Sequence, residues 1–192
     1  MLISVIALLV GFRASGQETY EHYTNYYAIE SSIVGSSAGL LFSPAFSVYR
    51  SGHKIDAGVG VKFYDVWKNG QGLIGTYLGY KYYPNKRKNS FNLYFGYHNL
   101  VSVHNKGKRF PIVYDEASDT YRYPTYEYLL ENMIGMGFDF QMGNKFYMFS
   151  DFSFGAVLDW KKYQDTDTQF EVRSTGLIRL GMAYNVGQKR AK

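Results

Sequence analysis

The sequence predicts an all-β fold: an antiparallel up-and-down transmembrane β-barrel of about eight strands. Three observations carry this. From Leu40 onward, apolar and polar side chains alternate with period two, so each segment has one apolar and one polar face. The 192 residues include 20 glycines, 20 tyrosines and 14 phenylalanines against four prolines, a composition that favours strands. Short connections alternate with long ones along the chain.

The N-terminus reads as an export signal. Met1 to Phe12 is an apolar run followed by Ala14-Ser15-Gly16, which suits cleavage after Gly16. The run is too short for a membrane-spanning helix, which needs roughly 20 residues. No Lys or Arg precedes it, so the positive segment that usually opens such a signal is missing. The expected organisation is a signal peptide over 1–16 and a single barrel domain over 17–192, with 17–25 flexible.

Seven strands follow from the alternation. Leu40, Phe42, Phe46 and Val48 oppose Ser43, Ala45 and Ser47, and Pro44 implies an edge or a bulge. Ile55, Ala57, Val59, Val61 and Phe63 oppose Lys54, Asp56, Gly58, Gly60 and Lys62. Ile74, Leu78, Tyr80 and Tyr82 oppose Gly75, Tyr77, Gly79 and Lys81. Phe91, Leu93, Phe95 and Tyr97 oppose Asn92, Tyr94, Gly96 and His98. Ile134, Met136, Phe138 and Phe140 oppose Gly135, Gly137, Asp139 and Gln141. Met148, Phe152, Phe154, Ala156 and Leu158 oppose Asp151, Ser153, Gly155 and Asp159. Ile178, Leu180, Met182, Tyr184 and Val186 oppose Arg179, Gly181, Ala183 and Asn185. An eighth strand is placed over Tyr26 to Gly35 because a bacterial barrel of this type has an even strand number. Its own alternation is poor.

Ser51-Gly52, Pro84 to Asn89 and Gly143-Asn144 are short connections, whereas Tyr64 to Gly72, Ser102 to Thr125 and Lys161 to Arg173 are long. The long side is expected to face outward. A soluble lipocalin-like barrel would also alternate, with its apolar face inward and a charged exterior. Here the polar face is dominated by glycine, small residues and ions of both signs, which suit a narrow lumen. The apolar face carries large Phe, Leu, Ile and Met, and Tyr82, Tyr83, Tyr97 and Trp160 near strand ends suit aromatic girdles at the two interfaces.

On these patterns the chain resembles the small outer-membrane β-barrels of Gram-negative bacteria, of the OmpA and OmpX type, from about Gly39 to Val186. The hairpin Phe46 to Lys54, the segment Gly79 to Asn85 and the closing Gly176 to Tyr184 carry the likeness. It implies residence in the cell outer membrane, contact with its lipids and lipopolysaccharide, and insertion by the barrel-assembly machinery. Such barrels often end in an aromatic residue; here Val186 is followed by Gly187 to Lys192, and Tyr184 is the nearest substitute.

The residues single out no catalytic, cofactor or metal site. Cysteine is absent, so disulfides and thiolate chemistry are excluded. No metal-ligand spacing links His22, His53, His98 and His104. His98 is a candidate catalytic group only if a serine hydroxyl lies within hydrogen-bond reach; otherwise it is a lumen histidine hydrogen-bonded to its neighbours. Lys62, Lys81 and Arg179 are expected to face Asp56, Asp139, Asp151 and Asp159 across the lumen, either as a filling salt-bridge network or as a polar path. The loop Ser102 to Thr125 sets Lys106, Lys108 and Arg109 beside Asp115, Glu116 and Asp119, with Phe110, Tyr114, Tyr121 and Tyr123, a mixture suited to an extracellular protein or glycan ligand or to plain solvation. The net charge of +5 is spread along the chain and is no nucleic-acid signature. The expected role is structural or surface-interacting with a filled, non-conducting lumen; the alternatives are a lipid-modifying enzyme, a small-solute channel or a soluble lipocalin-like binder.

Overall fold

A computed structural model describes residues 23–62, 73–87, 89–105, 113–115, 120–122, 124–143, 145–163 and 168–190. The proposed signal, His22 and most of the long loops lie outside the described residues. Those described form β1 (Tyr23–Ser36), β2 (Gly39–Arg50), β3 (His53–Lys62), β4 (Leu73–Tyr82), β5 (Phe91–Asn105), β6 (Val113–Asp115), β7 (Thr120–Arg122), β8 (Pro124–Met142), β9 (Phe146–Tyr163) and β10 (Thr168–Arg190). Eight of them close a barrel in the order β1-β10-β9-β8-β5-β4-β3-β2, while β6 and β7 pair separately within the loop between β5 and β8. Closure pairs every barrel strand on both sides and leaves no sheet edge.

The weakly patterned first strand is real and longer than expected. Ile33 of β1 pairs with Phe42 of β2 and with Leu180 of β10, so β1 closes the cylinder. Its alternation is hard to read because Ser31, on the outer face, is polar and Val34, on the inner face, is apolar. The first and last described residues lie at one mouth, where Tyr23 pairs with Arg190.

The faces are those of a membrane barrel. Outward side chains are apolar: Ile134 is 70% and Phe154 76% exposed. Inward ones are polar: Asp56, Asp151 and Arg179 are all 0% exposed. A soluble barrel has the opposite arrangement, since exposing large apolar side chains in every strand would cost it solubility. Each rim carries an outward pair of rings. Phe146 meets Tyr184 at 4.9 Å near the mouth holding the termini, and Trp160 meets Phe170 at 5.2 Å near the other.

Four expectations need correction. Pro44 makes neither an edge nor a bulge: Phe42 opposes Val61 and Ala45 opposes Gly58 in one unbroken register. The missing N–H is absorbed by a local gap in the β2–β3 ladder. Tyr83 does not join an interfacial girdle but is buried at 1% inside the lumen, and Tyr97 points outward in mid-strand, donating to Asn132 Oδ1 at 2.7 Å. Lys161 to Arg173 is not a long loop, because β9 runs to Tyr163 and β10 begins at Thr168. Alternation is masked there because the inner face carries the charges of Asp159, Lys161, Glu171 and Arg173 while the outer face stays aromatic at Trp160 and Phe170. Lastly, the long-loop mouth also carries one tight turn, Ser37-Ala38, between β1 and β2. The wall is therefore uneven: β8, β9 and β10 have 19, 18 and 23 residues, against 10 each for β3 and β4.

Candidate functional site

The chemistry-bearing side chains converge on the lumen, which is filled in three storeys. Near the mouth holding the termini, Tyr26, Tyr49, Tyr83 and Tyr147 point inward and surround one guanidinium. It belongs to Arg87, in the turn between β4 and β5, and stands 5.0, 5.8, 5.5 and 4.3 Å from those four ring centroids. Arg87 also donates to the Tyr26 hydroxyl and pairs with Asp139 Oδ2 at 2.8 Å, while Asn92 Nδ2 donates to Asp139 Oδ1 at 3.1 Å. Lys86 and Arg87 both take the left-handed conformation, φ 51° and 52°, which directs the chain back over the mouth. Arg87 acts as a cork, and its flat cation fits four ring faces as an ammonium could not. Arg87→Ala is expected to cost about 2 kcal/mol or more, since the cation–π contacts are desolvated and Asp139 loses its counter-charge. Urea unfolding in lipid vesicles checks this, and Arg87→Lys should recover only part of the loss.

The middle storey is a closed ionic network. Glu30, Asp56 and Asp151 face Lys54, Lys81 and Arg179, all fully buried, so three carboxylates balance three cations. Arg179 is the hub, 2.7 Å from Glu30, 3.3 Å from Asp56 and 3.6 Å from Asp151. Lys81 bridges Asp56 at 3.6 Å and Asp151 at 3.4 Å, and Lys54 bridges Glu30 and, at 3.3 Å, Asp56. Tyrosines complete the shell: Tyr147 donates to Glu30 at 2.8 Å, Tyr94 to Asp151, and Tyr77 receives Arg179. Glycine makes this crowding possible. A Cβ on Gly137 would stand 2.6 Å from the Tyr94 ring, and one on Gly96 would stand 2.7 Å from His98 Nε2, so these rings lie flat along the wall over bare backbone.

The upper storey is apolar, with Val34, Leu41, Leu100, Leu129, Met133, Val157 and Leu177 buried together. Glu131 ties the Ser37-Ala38 turn across to β8, accepting from the Ala38 N–H at 2.9 Å and the Ser36 hydroxyl at 3.2 Å. Above this layer the tall wall turns polar inside. Asp159 pairs with Arg173 at 2.6 Å and with Lys161 at 3.2 Å. Ser102 Oγ lies 3.1 Å from His104 Nε2, and His104 stands opposite Glu127 in the β5–β8 ladder.

Of the lumen charges expected from sequence, Lys81, Arg179, Asp56 and Asp151 meet at mid-height. Asp139 belongs to the lower cork, Asp159 to the outer rim, and Lys62 ends β3 near Gly39. Glu30, in the strand with poor alternation, and Arg87, in a turn with no periodicity, gave no sequence signal of their partnership. His98 is 1% exposed, stacked on Tyr77, with Nδ1 2.6 Å from the Tyr77 hydroxyl and Nε2 4.0 Å from Asp151. Sealed between storeys, it fills the lumen and faces no serine hydroxyl among its hydrogen-bond partners. His53 is exposed on the outer face beside the Tyr80 hydroxyl at 2.7 Å. Among the described residues no group of three or more His, Cys, Asp or Glu side chains is placed to hold a metal ion. In the loop Ser102 to Thr125, the barrel strands extend to Asn105 and from Pro124, and Val113–Asp115 pairs with Thr120–Arg122; Lys106, Lys108, Arg109, Phe110, Glu116, Asp119 and Tyr123 lie outside the described residues.

No family model and no curated protein matches the chain. Among solved structures it is similar to the N-terminal β-barrel domain of Pseudomonas aeruginosa OprF, at 12% identity and TM-score 0.47, over 85% of this chain and 98% of that one. It is also similar to a major outer membrane protein from Thermus thermophilus, at 12% identity and TM-score 0.38, over 84% and 99%.

Proposed function

We propose that the chain is an outer-membrane barrel protein with a structural or surface-interaction role and a lumen that conducts no large flux. The charge-balanced network of Glu30, Asp56, Asp151, Lys54, Lys81 and Arg179 carries this reading. An aqueous channel keeps its charges hydrated, whereas these six are fully buried and paired. The Arg87 cork below and the apolar layer above support it. The apolar exterior supports a lipid surround, with outer-membrane lipids and lipopolysaccharide as its neighbours and the barrel-assembly machinery as its route in. An extracellular protein or glycan would meet the loops at the tall wall.

Two measurements test this. The protein should fractionate with the outer membrane and migrate differently on gels before and after heating; recovery in a soluble fraction would refute the location. In planar bilayers the purified barrel should give no long-lived porin-sized steps. Stable steps whose ion selectivity changes with Lys81→Gln would favour the channel alternative.

A further inference from the structure

A polar cluster interrupts the lipid-facing wall. Asn99 of β5 and Asn132 of β8 are direct partners in the ladder. Both point outward, since their neighbours Leu100 and Met133 are buried inside. Asn132 Oδ1 accepts from Asn99 Nδ2 at 3.0 Å and from the Tyr97 hydroxyl at 2.7 Å, which saturates it. Both N–H groups of Asn132, one N–H of Asn99 and the Asn99 Oδ1 find no partner among the described residues. Depth makes this costly. Strands rise about 3.3 Å per residue and tilt by about 40°. Asn132 is four residues from Tyr128, which pairs with Trp160, and ten from Met142, which pairs with Phe146. It therefore lies about 10 Å inside the nearer rim, in hydrocarbon that offers neither donor nor acceptor. The relief around the cluster is two-sided. A groove of about 780 Å3 opens beside Tyr97, floored by Gly96 and Gly135 and walled by Tyr80 and Phe95. Next to it Ile134 and Phe154 stand 70% and 76% exposed, the most prominent large apolar side chains among the described residues.

We infer that this face joins two copies of the chain within the membrane, about a two-fold axis along the bilayer normal that passes between β5 and β8. Two copies inserted the same way up can share only an axis of that direction. It sets β5 of each copy against β8 of the other. Asn99 and Asn132 lie side by side in one ladder pair, so each meets the opposite member in the second copy. An Asn132 N–H then donates to the Asn99 Oδ1 of the other copy, and the bond is made twice. The groups left over on one barrel are thus complementary to themselves, which selects a second copy over an unrelated protein. Relief follows the same rule: the axis turns the Ile134 ridge of each copy toward the groove beside Tyr97 of the other. Lipid supplies no hydrophobic gain on contact, so side-chain packing and amide bonds must hold the pair. Closed ladders have no edge to share, so the backbone takes no part. This goes beyond the role proposed above and holds whether or not the lumen conducts.

The test uses the full chain folded in detergent micelles, with heat-modifiable migration confirming that each variant is a closed barrel. Sedimentation equilibrium over a range of protein-to-detergent ratios should show a monomer–dimer equilibrium for the wild type. Asn99→Leu and Asn132→Leu should each weaken it about 10-fold or more, since each change removes both bonds between the copies. Both variants make the lipid face more apolar, so insertion should not suffer. Position is read separately in phosphatidylcholine vesicles, by oxidising single cysteines on a chain that has none of its own. Val101 adjoins the axis, paired with Leu130 across it, so Val101→Cys should give a disulfide-linked dimer. Leu180→Cys, on β10, should not. A wild type that stays monomeric at every ratio would overturn the proposal and leave Tyr97, Asn99 and Asn132 as a self-contained cluster facing lipid. A dimer untouched by both leucine variants would overturn it as well, as would one linked through Leu180→Cys and not through Val101→Cys. The cross-link retains both asparagines, so it decides the matter even if a leucine variant fails to fold.

Discussion

Replacing Arg179 by Met is expected to destabilise the barrel by about 3–5 kcal/mol, the usual consequence of removing one partner from a buried ionic group. Arg179 touches all three mid-lumen carboxylates, at 2.7, 3.3 and 3.6 Å, and its Nε donates to Ser32 at 3.1 Å. Without it, Glu30, Asp56 and Asp151 face only Lys54 and Lys81, and one negative charge is left over with no water to solvate it. Glu30→Gln alone should also destabilise, by leaving one cation in excess. The two changes together restore neutrality, since Lys54 and Lys81 then balance Asp56 and Asp151. The double variant should therefore lose at least about 1 kcal/mol less than the sum of the singles, the mark of groups within one network. Urea titration in phosphatidylcholine vesicles gives all four corners of the cycle. Strict additivity would mean that Arg179 contributes through packing alone.

The sequence shows the faces of this barrel well because lipid and lumen make opposite demands on neighbouring residues. Ile178-Arg179-Leu180-Gly181-Met182 can be read only one way in a strand. Legibility fades wherever that contrast does. In β1, Ser31 faces outward between Pro44 and Met182, and Val34 faces inward because the upper lumen is apolar; both dilute the signal. Along Lys161 to Arg173 the hairpin is wet on one side and aromatic on the other, and its charges read as loop. Tyr83 looks interfacial by residue type, yet it lies past the end of β4 at a position that turns inward over the mouth. Arg87 is the extreme case. Its role depends on four tyrosines from separate parts of the chain, and no local pattern can bring those together.

Val59→Arg and Leu180→Arg should each cost about 2–4 kcal/mol if the side chain sits near the bilayer midplane, because a charge on the lipid face meets hydrocarbon. Val59 is six residues up β3 from His53, and Leu180 is four from Tyr184, so both lie within the apolar band and not at its rim. Leu180 is 57% exposed on the outside, between Ile33 and Ser150 of the flanking strands. The neighbouring positions should respond for a different reason. A Cβ on Gly60 would stand 3.3 Å from Leu41 Cδ1, so Gly60→Arg would push a charge into the apolar upper storey, independent of bilayer thickness. Varying the acyl chains of the vesicles therefore separates the cases: thinner bilayers should ease the cost of Val59→Arg, by letting the side chain reach the headgroups, and leave that of Gly60→Arg unchanged. Single cysteines give the same answer without added charge, on a chain that has none of its own. A spin label at 59 or 180 should be quenched from the lipid phase, whereas labels at 60 and 179 should not. Quenching at 60 and 179 instead would mean that the apolar face is a core, and the barrel would have to be turned inside out.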